Sequence, residues 1–118
     1  MFNFEKLDVW KKAVAFADQV YVVTRNFPSD ERFGLTNQMR RASVSIASNI
    51  AEGTSRSSAA DYARFIEIAV GSTFEAINQA FIAQKQGFLS ATDFKELYGS
   101  ADEIVRMLSG LKKSLGQT

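Results

Sequence analysis

The chain has 118 residues, 46% of them apolar, and its fourteen basic and thirteen acidic side chains leave a net charge of +1. The length predicts one folded domain over residues 1–118, and the apolar content excludes a disordered chain. With a net charge near zero, the chain as a whole has no strong electrostatic attraction to nucleic acid or membrane. Because the chain has no cysteine and no histidine, disulfides, thiol nucleophiles, imidazole bases and zinc sites are excluded, and we expect no enzyme activity and no cofactor.

The first predicted helix, residues 6–27, is apolar on two adjacent faces that together span about 200°, wider than the stripe one core requires. The first face, assigned to the core, comprises Leu7, Trp10, Val14, Ala17, Tyr21 and Thr24. The second face comprises Val9, Phe16, Val20 and Val23, followed by Phe27. We predict that the second face is an oligomer interface; the alternative is a helix buried on both faces within one chain.

The second predicted helix, residues 31–52, is rich in small side chains, which lets neighbouring backbones approach closely. Pro28 ends the preceding helix, Ser29 and Asp30 are predicted N-caps, and Gly53 is the predicted stop. Its apolar face comprises Met39, Ala42, Ile46 and Ile50. A polar line beside that face comprises Arg41, Ser45, Ser48 and Glu52, with Asn49 at the edge. No base is present to activate a serine as a nucleophile.

The third predicted helix begins at a capping box, Ser58 to Asp61, and continues to about residue 86, just before Gly87. Its predicted core face comprises Tyr62, Phe65, Ile66, Ala69, Val70, Thr73, Phe74, Ile77, Ala80 and Phe81. A mixed seam on the opposite side comprises Ile68, Ser72, Glu75, Gln79 and Ile82. This seam is interpreted either as a polar subunit interface or as a solvated face.

The fourth predicted helix begins at a second capping box, Ser90 to Asp93, and carries one clean apolar stripe. The stripe comprises Phe94, Leu97, Ala101, Ile104, Val105, Leu108, Leu111 and Leu115. Four long amphipathic helices joined by short loops predict an all-α, up-down antiparallel four-helix bundle. The predicted helix content is about 75–80%, well above the average for globular proteins.

Sequence motifs for chemistry and targeting are missing. Di-iron bundles use Glu-x-x-His pairs, which a chain without histidine cannot supply. The glycines do not form a phosphate-binding loop. No signal-peptide pattern opens the chain, and no apolar run approaches the roughly 18 residues that a membrane span needs. We therefore expect a cytoplasmic protein without a membrane partner.

An ordered set of residues gives the chain a family resemblance from Phe4 to Leu115. The matching positions are Phe4, Leu7 to Trp10, Ala13, Phe27-Pro28, Glu31, Phe33-Gly34-Leu35, Gln38, Arg40-Arg41-Ala42, Ser45-Ile46, Asn49-Ile50-Ala51-Glu52-Gly53, Gly71-Ser72 and Glu75. In these positions the chain resembles the four-helix-bundle proteins encoded in intervening sequences of bacterial 23S ribosomal RNA genes.

The resemblance implies an assembly and a class of partner. Members of this family resemble pentamer-forming bundles, so the implied assembly is a homopentameric ring. A related protein, the accessory variability determinant of diversity-generating retroelements, is a pentameric barrel that binds nucleic acid and a reverse transcriptase. Ala47 stands where many members have proline, so the second helix is predicted to be straighter. Ala76 stands where leucine commonly follows the glutamate, which is predicted to weaken one packing contact and to leave the fold unchanged.

Two functions follow as hypotheses. The first is a nucleic-acid-binding accessory protein with Arg40, Arg41 and Arg56 as the best phosphate partners, then Lys11 and Lys12. Because Arg40 and Arg41 are adjacent on a helix, they are predicted to point about 100° apart and not to face one phosphate row. The second is an oligomeric scaffold for a protein partner. Clustered basic groups would favour the first function, and scattered or paired ones the second.

Four polar residues are assigned structural roles. Asn49 and Glu52 lie near the end of the second helix, where we predict that their side chains bond to the backbone of the following loop. Ser72 and Glu75 are assigned a similar structural role on the third helix. Such bonds matter because a buried polar group without a partner costs about 1–3 kcal/mol.

Overall fold

The computed structural model describes residues 1–117 and consists of four helices joined by short connections. The helices are α1 (Asp8–Thr24), α2 (Leu35–Gly53), α3 (Ala59–Lys85) and α4 (Ala91–Ser114), and short 3-10 helices span Asn3–Lys6 and Ser29–Glu31. Helices make up 80% of the chain, and the described residues contain no strand. The predicted fold class and helix content are confirmed.

None of the helices described within residues 1–117 is long and apolar enough to cross a membrane.

The helices pack in chain order around one core. Contacts join α1 to α2, α2 to α3, α3 to α4 and α4 back to α1, whereas no described residues join the diagonal pairs. The bundle measures 43 × 21 × 21 Å. Packing is most extensive between α2 and α3, where a side chain at Gly53 would place its Cβ 3.1 Å from the Tyr62 ring. Small residues on both helices permit this close approach.

The predicted helix starts are confirmed at α3 and α4 and wrong at α2. Ser58 and Ser90 each accept a hydrogen bond from the backbone N–H three residues later, at 3.1 and 3.0 Å. At α2, neither predicted cap is used. Instead the Leu35 N–H donates to Glu31 Oε1 at 3.1 Å. The chain makes a 3-10 turn after Pro28 and is not helical at Gly34 (φ −108°, ψ −114°), so α2 begins at Leu35 and not at residue 31.

The two apolar faces of α1 do not have the roles predicted for them. Val9, Phe16 and Val20 of the second face are 5%, 2% and 0% exposed and lie in the chain's own core, so their assignment to an oligomer interface is wrong. Val23 is half-buried and packs against the same core. The buried stripe also contains Ala13 and Thr24, whereas Val14 and Tyr21 of the first face are exposed. Both stripes have helical spacing, so periodicity alone could not choose between them.

Candidate interaction surfaces

A mixed polar and aromatic groove of about 540 Å³ lies between α1 and α2. It is lined by Tyr21, Asn37, Arg40, Arg41, Val44 and Ser45. Both arginines line this groove, although Arg40 extends toward α1, where it bonds to Thr24, and Arg41 also lines a groove beside α3. That they do not face one phosphate row stays a prediction. Among residues 1–117, none of the groove-lining side chains is acidic.

Arg40 is held in place by the residues around it. Its Nε donates a hydrogen bond of 2.9 Å to Thr24 Oγ1, which in turn donates to the Val20 carbonyl at 2.7 Å. The guanidinium carbon also lies 4.7 Å from the centre of the Tyr21 ring. Arg41, by contrast, is exposed and makes no hydrogen bond or ion pair with any described residue. One arginine is therefore fixed, and the other can reach a ligand.

A second groove, of about 340 Å³, lies between α2 and α3 and shares Arg41 with the first. Gln38, Ala42, Ser45 and Glu75 complete its lining. Glu75 is exposed and forms no ion pair within residues 1–117. An exposed acid and an exposed base thus border one polar groove without neutralising each other.

One side-chain hydrogen bond crosses the α2–α3 interface beside this groove, and two more lie within α2. Ser45 Oγ and Ser72 Oγ are 2.9 Å apart. Asn49 Nδ2 donates to the Ser45 carbonyl at 2.8 Å and to its Oγ at 3.0 Å. The predicted bond from Asn49 to the following loop is therefore wrong, because the side chain turns back along its own helix.

The Glu52 side chain also makes no bond to the loop. It is exposed, and its carboxylate has no hydrogen-bond partner among the described residues. Only its backbone carbonyl serves the loop, accepting from the N–H and the Oγ of Ser55 at 3.0 and 2.7 Å. The loop is therefore capped by its own hydroxyl groups, and the predicted role of the Glu52 side chain is wrong.

The remaining predicted phosphate partners lie away from the arginine groove. Lys12 is paired with Glu103 of α4 at 2.9 Å, and Lys11 is exposed on α1. Arg56 follows the far end of α2, where its guanidinium lies 4.4 Å from the centre of the Phe65 ring. At 1.5 Å per residue, that end is about 20 Å from Arg40 along the helix axis. The five basic residues therefore do not form one patch in a single chain.

Gln79 Oε1 is the one fully buried side-chain polar atom among residues 1–117 that lacks a hydrogen-bond partner. Gln79 itself is 5% exposed. Gln79 lies seven residues after Ser72, and Gln38 lies seven before Ser45. Because α2 and α3 are antiparallel and the two serines are in contact, Gln79 lies level with Gln38, about 10 Å from the serine pair. The sequence placed Gln79 in the outer seam of α3, and its burial was not predicted.

An aromatic surface lies between α3 and α4, and sequence reasoning missed it. Phe74, Phe81 and Tyr98 are 62%, 50% and 49% exposed, although the first two were predicted to be core residues. Phe81 packs edge-on against Phe94 at 4.7 Å and lies 6.2 Å from Tyr98. The signal that could have shown this is the alanine stripe of α3. It comprises Ala69, Ala76, Ala80 and Ala83, each at most 1% exposed.

Between these rings lies a groove of about 270 Å³, which we call the aromatic groove. Its apolar walls comprise Phe74, Ile77, Phe81, Tyr98, Ala101 and Val105. Asp102 supplies a carboxylate at its edge and also pairs with Arg106 at 3.1 Å. No group of three or more acidic, histidine or cysteine residues in the described part of the chain could hold a metal ion.

Comparison with known proteins supports the fold and the resemblance. A family model described as "23S rRNA-intervening sequence protein" matches residues 5–110. The chain is also similar to a solved structure from Bacteroides thetaiotaomicron, a protein of unknown function from the S23 ribosomal protein family. That similarity has a TM-score of 0.82 at 21% identity, covering 89% of this chain and 95% of the other. Comparison with curated proteins gave no match.

Proposed function

The chain belongs to the family of 23S rRNA-intervening sequence proteins, and we propose that it is a non-enzymatic, homo-oligomeric scaffold in the cytoplasm that binds an acidic segment of a protein partner. The observation that carries this proposal is the α1–α2 groove, with two arginines, one tyrosine and no acidic lining residue within residues 1–117. The family resemblance implies five subunits. A ring would present five such grooves at once.

Self-association is supported by the aromatic surface between α3 and α4. Three rings are about half exposed or more on one side of a chain of only 118 residues. Contiguous apolar patches of this kind mark interaction sites on soluble proteins, and aromatic side chains are enriched in the buried centres of interfaces. This surface lies between α3 and α4, so it can be covered by another subunit while the α1–α2 groove stays open.

A protein partner fits the α1–α2 groove better than nucleic acid does. Arg40 already bonds to Thr24 and covers one face of the Tyr21 ring, which leaves less of that ring for stacking on a base. One chain offers one or two phosphate contacts here, and each adds about 0.7–0.9 to the salt slope of binding. Tyrosine and arginine are also the residues that most often dominate protein–protein binding energy.

Weak nucleic-acid binding is the second candidate. It is favoured by one observation, the presence of Arg40 and Arg41 in the same groove. In a ring of subunits this arginine pair would be repeated around the axis, so a nearly neutral chain would still present several cationic sites. Such binding would show little sequence preference and would weaken steeply with salt.

One set of binding measurements separates the two candidates. Fluorescence anisotropy would compare a labelled poly-glutamate peptide with mixed RNA and DNA oligonucleotides over a salt series that starts at low ionic strength. The matched variants are Arg41→Ala, in the groove, and Lys95→Ala, which removes the same charge from an exposed site on α4. Light scattering at micromolar concentration reports the assembly.

The scaffold proposal expects peptide binding that Arg41→Ala weakens about tenfold, the size of a moderate interface contact, and that Lys95→Ala leaves unchanged. Nucleic-acid binding with a steep salt slope, together with no peptide binding, would replace it by the second candidate. A wild-type protein that is a monomer, or that binds neither class of ligand, would contradict the proposal.

A further inference from the structure

The aromatic groove has the size and chemistry of a receptor for a single aromatic ring. Its volume of about 270 Å³ exceeds the roughly 150 Å³ of an engineered apolar cavity that takes up benzene. Phe74 and Tyr98 line opposite walls, on α3 and α4, and Ala101 is a small residue between larger ones. The groove opens to the surface, so a protruding side chain can enter it without rearrangement of the core.

The same chain carries a protruding aromatic ring elsewhere. Phe33 is 84% exposed, more than any other large apolar side chain of the described residues except Met1. It lies in the connection before α2, between the 3-10 turn and Gly34. A fully exposed phenylalanine at this point contributes nothing to the core of its own chain.

The turn that carries Phe33 is held by hydrogen bonds on both sides. Arg32 donates its backbone N–H to the Ser29 carbonyl at 3.3 Å, and Gly34 donates to the Glu31 carbonyl at 3.0 Å. The Glu31 side chain then accepts from Leu35 at 3.1 Å. Because the backbone is already ordered, little conformational entropy is lost when the ring is buried by a partner.

We propose that Phe33 of one subunit inserts into the aromatic groove of a second copy of this chain. This inference rests on the proposed homo-oligomer and specifies its contact. The charges are complementary, since Arg32 lies over the ring face, its guanidinium carbon 4.9 Å from the ring centre, and Asp102, which also pairs with Arg106, lines the groove. The ring and the groove are different parts of the surface, so the contact is head-to-tail, and repeating it closes a ring when the rotation between neighbours permits.

The absence of cysteine makes this contact directly testable. A tagged D30C protein is mixed with an untagged N78C protein, assembled, and treated with a short bismaleimide, so that only engineered thiols react. Asp30 lies three residues before Phe33, and Asn78 lies one helical turn from both Phe74 and Phe81 on α3. Both positions are exposed in the single chain, and both substitutions leave Phe33 and the groove lining intact. The matched control replaces D30C with F2C, because Phe2 is 71% exposed and stacks on Phe4 outside the proposed contact.

The proposal expects covalent pairs between the D30C and N78C proteins and only background pairs in the F2C mixture. Efficient pairing of D30C with itself and not with N78C would overturn it, because the turn that carries Phe33 would then lie against its own copy and not against the groove. In light scattering, F33A is expected to weaken subunit association about tenfold or more, whereas F2A leaves it unchanged. If the wild type is an oligomer but the mixed thiols do not pair, this contact is wrong and the proposed scaffold stands. If the wild type is a monomer, both are wrong.

Discussion

Replacing Gln79 with methionine should stabilise the protein. The Gln79 side chain is 95% buried by the α3 and α2 packing, and its Oε1 accepts no hydrogen bond within residues 1–117. A buried polar atom without a partner costs about 1–3 kcal/mol, and methionine keeps nearly the same shape and volume without that atom. Taking the lower half of the range, we expect Gln79→Met to raise the free energy of unfolding by about 1–2 kcal/mol.

Thermal and urea unfolding would measure this gain. For a chain of this length, about 1–2 kcal/mol corresponds to a rise in Tm of about 4–8 °C. The control is Gln86→Met, since Gln86 is exposed at the C-terminal cap of the same helix and its amide is solvated. If Gln79→Met lowered the stability of the assembled protein, the amide would have a partner in the assembly, and the reasoning from the single chain would be refuted.

Three further predictions concern stability. In urea unfolding, Gly53→Ala should leave the protein at least about 1 kcal/mol less stable than Gly71→Ala does. An added Cβ lies 3.1 Å from the Tyr62 ring at position 53, whereas at position 71 it meets nothing within 4 Å. Equal stabilities of the two variants would contradict the close packing at Gly53. Asn49→Ala should change the free energy of unfolding by less than about 1 kcal/mol, because the better helix propensity of alanine offsets the lost hydrogen bonds to Ser45. A larger loss in urea unfolding would show that the Asn49 amide has a second role. Burial raises the pKa of Tyr62 above 10.0, so its stabilising contribution is present below pH 10 and is lost as pH rises through the folded-state pKa. The stability difference between wild type and Tyr62→Phe should therefore change only above about pH 10, and a constant difference up to pH 12 would contradict the burial.

The sequence was sufficient for the fold because each helix carries local signals that agree with the global arrangement. Ser58 and Ser90 cap α3 and α4 as their spacing predicts. The middle of the predicted α4 stripe is buried, at Leu97, Ala101, Ile104 and Leu108. The errors occurred where two faces of one helix were equally apolar. On α1 the buried stripe includes Ala13, which is fully buried, and hydrophobic periodicity gives such a small residue little weight.

The surfaces were less predictable than the fold because they depend on side-chain conformation and on contacts between helices. The position of the Arg40 side chain could not be read from α2 alone, since its bond to Thr24 crosses from α2 to α1. Phe74 and Phe81 were assigned to the core by hydrophobicity, although the alanines of α3 occupy it. In both cases the deciding partner lies on another helix, and no local pattern identifies it.

The order in which the helices contact each other also has a kinetic consequence. Three of the four helix pairs join neighbours in the sequence, and only the α1–α4 pair brings distant parts of the chain together. Proteins dominated by such local contacts fold in microseconds to milliseconds. Since α2 and α3 share the most extensive packing, their amides should exchange with solvent most slowly, at the free energy of global unfolding. Pulse-labelled hydrogen exchange should then detect protection of the α2–α3 hairpin first and closure of α1 onto α4 last.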